Sequence, residues 1–167
     1  MRDLRIAAYH EAGQAVASRW YKHRFGQVSI DPDDKTLGSL MWFSPAAVDT
    51  PRERLKAEAF PVICFAGQAA TQRFLGRRPP RYSYKSDNVN TVRVMSYFFR
   101  SWDARKSFLE LCFFESRDLI KWQWCAIEAV AQALLERKRL TEAEVIEVME
   151  RASPGNDASA TGKSAGG

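Results

Sequence analysis

Residues 8–16 run Ala8-Tyr9-His10-Glu11-Ala12-Gly13-Gln14-Ala15-Val16. They sit inside a longer pattern, about residues 2–22, in which Ile6, Tyr9, Val16, Ala17 and Trp20 recur at helical spacing. Side chains four apart on a helix differ by about 40° around its axis, so positions 10 and 14 share one face. The His-Glu-x-x-His helix of zinc peptidases uses this geometry. Two imidazoles hold one metal, and the Glu after the first His accepts a proton from the attacking water. His10 and Glu11 fill the first two places, and Gln14 stands where the second His is required. Taken alone, His10 and Glu11 are the solvated polar pair of an ordinary surface helix.

Outward from that helix, Gln27-Val28-Ser29-Ile30 alternates polar and apolar like a half-buried strand. Asp31-Pro32-Asp33-Asp34-Lys35 is a turn cluster, and Leu37 to Phe43 predicts a second strand closing a β-hairpin. Thr50-Pro51-Arg52-Glu53 opens a helix with a capping box and a first-turn proline. That helix is expected to reach Leu75, kinked or broken at Pro61, with Gly76 as its stop. Residues 77–85 predict a loop, and about 86–99 a third helix. The longest helical pattern covers about 103–138 and carries Phe108, Leu111, Cys112, Leu119, Trp122 and Ile127 among its apolar positions. Thr141-Glu142-Ala143-Glu144 repeats the capping-box pattern before a last helix ending near Arg151. The fold class predicted is α+β, mainly α-helical, with a small β-hairpin or sheet edge. Residues 1–151 form one domain, and the small, polar residues 152–167 are expected to be a disordered tail.

The order of these motifs resembles the peptidase domain of FtsH-type ATP-dependent zinc metalloproteases. The resemblance rests on Ala8-Tyr9-His10-Glu11-Ala12-Gly13-x-Ala15, on Val28-Ser29-Ile30-x-Pro32 followed by Leu37-Gly38, and on Phe65-Ala66-Gly67-Gln68-Ala69-Ala70 with Phe74-Leu75-Gly76. It continues through Ser86-Asp87-Asn88, with Thr91 and Met95, and through Ala131-x-x-Leu134-Leu135-Glu136 to Leu140-Thr141-x-x-Glu144-Val145. It implies Glu11 as catalytic base, His10 and Asp87 as metal ligands, and Gln14 at the second ligand position. It also implies a protein or peptide substrate, a homo-oligomeric ring, and an ATPase that acts in trans where the chain carries none. The ATPase module and membrane anchor that precede this domain in the family are not expected in this chain.

Gln14 changes the expected chemistry. An amide oxygen is a hard, weakly basic donor, better suited to calcium or magnesium than to zinc. Three states follow: an empty site with Gln14 hydrogen-bonded to Glu11 or Asp87, weak zinc held through the amide or a water, or an engineered change in an active enzyme. The first makes the chain a pseudoprotease with zinc weak or absent, able to bind peptide beside a strand. The alternatives are an active zinc endopeptidase and a structural or oligomerisation module. His23, beyond the helix, is a poor replacement ligand.

Composition narrows the remaining classes. The chain has 167 residues, 46% of them hydrophobic and 27% charged, with a net charge of +5 spread through the sequence. That describes a globular domain without a nucleic-acid stripe. Arg77-Arg78-Pro79-Pro80-Arg81 is basic and is expected to be a solvated loop. The three cysteines, Cys64, Cys112 and Cys125, have no metal-finger spacing and are expected in the core of a cytoplasmic protein, as are Phe108, Phe113, Phe114, Trp122 and Trp124 in the core or between helices. No apolar run reaches a membrane span, and no signal peptide is evident. Gly162-Lys163-Ser164 lacks the earlier glycine of a phosphate-binding loop, since Asp157 stands there.

Overall fold

The structure, a computed structural model, describes residues 4–31, 50–79 and 85–152, with the side chains of residues 51–52 and 85–88 outside that set. The elements are α1 (Leu4–Trp20), β1 (Gln27–Ser29), α2 (Pro51–Leu75), α3 (Lys85–Phe98), α4 (Trp102–Trp122), α5 (Trp124–Arg137), β2 (Arg139–Thr141) and α6 (Glu142–Ala152). This is the mainly helical α+β class that the periodicity predicts.

Local chemistry accounts for several boundaries. The Thr50 hydroxyl accepts from the Glu53 amide at 3.2 Å, and the Glu53 carboxylate accepts from the Thr50 amide at 2.9 Å. Gly76 closes α2 at φ 64°, a left-handed conformation that suits glycine, with its amide donating to the Arg73 carbonyl. The box at the start of α6 also forms: the Thr141 amide donates to the Glu144 carboxylate at 2.8 Å. No break occurs at Pro61. The proline is buried within α2, which continues through it and packs on α1, α3 and α4. That packing outweighs one missing helical hydrogen bond.

The long helix expected over 103–138 is instead two. Gln123, at φ −97° and ψ 17°, donates to the Leu119 carbonyl at 2.9 Å and accepts from the Ile127 amide at 3.0 Å, so one residue ends α4 and begins α5. The break changes which face points inward. Trp122, the last residue of α4, is 71% exposed, and Phe114 and Leu111 also face solvent. Phe108, Phe113 and Trp124 are partly buried. Trp20 is exposed at the end of α1, and Cys125 is exposed while Cys64 and Cys112 are buried. The expectation that Phe114 and Trp122 lie in the core or between helices, and that Cys125 lies in the core, is corrected accordingly.

β1 pairs with β2, antiparallel, with Val28 opposite Leu140. Lys138, at φ 68°, turns the chain out of α5 into β2, and its carbonyl accepts from the Ile30 amide. The second strand expected over 37–43 lies outside the described residues, as does the tail from residue 153 onward.

The main core lies between α1, α2 and α5. Ala8, Ala12, Ala15 and Val16 meet Ile63, Ala66, Ala69 and Ala70, while Ile127, Val130 and Leu134 cover them from α5. The small residues let two backbones approach closely. A Cβ placed on Gly13 would stand 2.6 Å from the Ala66 carbonyl oxygen and 2.7 Å from the Ala70 Cβ. A smaller cluster, Phe60 and Cys64 with Val94 and Met95, seats α3 on α2.

Gly13→Ala is expected to lower stability by about 1–3 kcal/mol, because the new methyl must push α2 away. Denaturant unfolding measures this, and an unchanged midpoint would refute the close crossing. Burial is the main cause pushing the Cys112 thiol up to about 12, with Glu115 adding to it. A thiol reagent at mildly alkaline pH should therefore label Cys125 in the native chain and leave Cys112 and the buried Cys64 until unfolding. Rapid labelling of all three would contradict this arrangement.

Candidate functional site

The α1–α2 crossing also builds the site. One turn from Gly13, the His10 imidazole lies over Gly67 of α2. A Cβ at Gly67 would fall 2.8 Å from ring atoms Cε1 and Nε2 and 2.9 Å from Nδ1. Gly67 thus serves as a floor that no larger residue could provide. Thr71, one turn further along α2, donates its hydroxyl to the Gly67 carbonyl at 2.9 Å and steadies that turn.

His10 and Gln14 are both buried. The Gln14 amide nitrogen stands 3.2 Å from His10 Nε2. With the amide in this orientation its nitrogen donates and Nε2 accepts, which assigns the ring proton to Nδ1. Glu11, the next residue round the helix, is half-buried. The structure therefore brings His10 and Gln14 into direct contact. Asp87 lies in the first turn of α3, with its side chain outside the described residues.

Zinc at His10 needs the Nε2 lone pair, which here accepts from Gln14, and a zinc site of this kind needs three protein ligands. Among the described residues, no three His, Cys, Asp or Glu side chains gather to hold a metal ion. His23 has a different task. It is buried, and its Nε2–H donates to the Lys56 carbonyl at 3.0 Å, tying the end of α1 to α2. Burial holds its pKa below the ordinary histidine value, and the Lys56 charge adds to this against the upward pull of the backbone bond.

Two features beside the site were not evident from motif spacing. The first is the role of Gly67, whose only signal was its place in the small-residue run Ala66-Gly67-Gln68-Ala69-Ala70. The second is a stack in which Tyr9 lies 4.0 Å from the Phe74 ring and 5.7 Å from Trp124, joining α1 to α2 and α5. Burial raises the Tyr9 pKa, and Glu128 adds to the effect.

The chain is 37% identical over 73 residues to a Thermus thermophilus protein named ATP-dependent zinc metalloprotease FtsH. The match takes in 42% of this chain and 11% of that protein's length, so this chain carries a region related to a small part of the relative. No family model matches the chain.

Gly67→Ala should cost about 1–3 kcal/mol by driving a methyl into the imidazole. In a His10→Ala background, most of that loss should disappear, giving a coupling of about 1 kcal/mol or more. A double-mutant cycle measured by denaturant unfolding tests this contact. Additive losses would show that the ring does not rest on Gly67.

Proposed function

We propose that this chain is a peptidase-domain relative of FtsH that binds polypeptide without cleaving it, a pseudoprotease. The observation that carries this reading is the 3.2 Å contact from the Gln14 amide nitrogen to His10 Nε2, both side chains being buried. In a zinc peptidase the metal makes bound water acidic enough to be deprotonated near neutral pH, and the glutamate accepts the proton. Here Glu11 remains as an acceptor, but the nitrogen that would face a metal is occupied by an amide donor. A carboxylate alone leaves water a poor nucleophile.

Binding survives such a loss because it uses main-chain hydrogen bonds rather than the metal. An extended peptide adding to the β1–β2 sheet is the mode this reading implies. The Thermus thermophilus relative is named ATP-dependent. An ATPase, in the same polypeptide or a separate one, is thus the expected supplier of unfolded substrate. No helix among the described residues is long and apolar enough to cross a membrane.

The test is elemental analysis paired with a casein-cleavage assay. The native chain should carry well under stoichiometric zinc and show no cleavage that a chelator abolishes. Gln14→His should raise zinc occupancy, and any cleavage it restores should vanish when Glu11→Gln is added. Stoichiometric zinc in the native chain, with chelator-sensitive hydrolysis that Glu11→Gln removes, would overturn the proposal.

A further inference from the structure

A groove of about 610 Å³ runs between the C-terminal half of α2 and the outer face of α4. It shares no residue with the His10, Glu11 and Gln14 site. Its walls carry Arg73 from α2, and Arg117 and Lys121 from α4, against a single carboxylate, Asp118. Arg117 and Lys121 are four residues apart and both exposed, so they project from one face of α4. Arg77 and Arg78, both exposed, follow Gly76 in the chain.

Five arginines elsewhere on the surface are held in ion pairs. Arg24, Arg54, Arg137, Arg139 and Arg151 each pair with a carboxylate: Glu142, Glu58, Glu144, Asp31 and Glu147 respectively. Among the described residues, no carboxylate pairs with Arg73, Arg117 or Lys121, and Asp118 pairs with no cation. Arg73 is held another way. Its guanidinium lies 4.6 Å from the centre of the Trp124 ring, which fixes the group without using its N–H donors.

The groove is not only charged. Ala69 and Ile120 form an apolar floor, and Phe114 stands at its side with 58% of its surface exposed. A polypeptide offers apolar side chains to the floor and carboxylates to the cations. A nucleic-acid backbone matches only the cations.

We infer that this groove between α2 and α4 is a docking surface for an acidic segment of a partner polypeptide, one in which Asp or Glu side chains flank an apolar residue. Arg73, Arg117 and Lys121 receive the carboxylates, and Phe114 and Ile120 receive the apolar side chain. The contacts at the rim set association rate and salt dependence, and Phe114 contributes apolar burial. The assignment stands whether or not the His10 site hydrolyses anything.

Fluorescence anisotropy with a short labelled peptide alternating Glu with Leu tests it, alongside the same peptide with Gln for Glu and a labelled single-stranded oligonucleotide of equal length. The full chain should bind the acidic peptide in preference to both others, more weakly as salt rises. The double variant Arg117→Glu/Lys121→Glu should weaken binding about ten-fold or more. Arg93→Glu/Arg100→Glu, an equal charge change at exposed positions on and just beyond α3, should alter it less than about two-fold. Phe114→Ala and the milder Arg117→Gln/Lys121→Gln should each weaken binding measurably, which preserves the test if the charge reversal disturbs folding. Equal losses from the two charge-reversed pairs, equal binding of the Gln peptide, or tighter binding of the oligonucleotide would each overturn the inference.

Discussion

The near contact of α1 and α2 is the constraint on which the rest of the structure depends. At Gly13 the carbonyl of Ala66 leaves no room for a methyl group, and at Gly67 the imidazole of His10 leaves none either. The two glycines face opposite helices about one turn apart, so each removes a side chain where the other helix presses closest. Interiors are packed to crystal-like density, and a methyl in the wrong place displaces a whole helix. The alanines around the crossing follow from the same requirement. α5 then closes over the pair with larger residues, Ile127, Val130 and Leu134, and the Tyr9 stack on Phe74 and Trp124 locks the three helices at one end.

Because the crossing fixes the His10 ring, it also fixes what the ring can do. His10 sits in a buried slot with Gln14 one turn away on the same face. A histidine at position 14 would offer a second nitrogen lone pair toward the same point. The amide offers an N–H instead, and the pair becomes a hydrogen bond.

Much of this was legible in the sequence, for identifiable reasons. Caps are local, so Thr50 with Glu53, Gly76, and Thr141 with Glu144 announce their helix ends correctly. The positions of His10, Glu11 and Gln14 on one helix follow from spacing alone. The division at Gln123 was not legible, because no glycine or proline marks it and the apolar positions on either side can be joined into one stripe. A single stripe places Trp122 in the core, whereas the break turns it outward. β2 was not legible because it is three residues long, its last residue Thr141 also caps α6, and its partner lies more than a hundred residues away. The floor role of Gly67 depends on which helix meets α1, a tertiary fact that local pattern does not encode.

The most direct measurement of the central claim is nitrogen-15 NMR of the His10 imidazole, assigned with the His10→Ala variant, before and after zinc is added. The account predicts a neutral ring protonated on Nδ1, with Nε2 showing the shift of a hydrogen-bond acceptor that disappears in Gln14→Ala. It further predicts that zinc leaves both resonances of the native chain in place. A native Nε2 resonance that moves to a metal-bound position on adding stoichiometric zinc would contradict it.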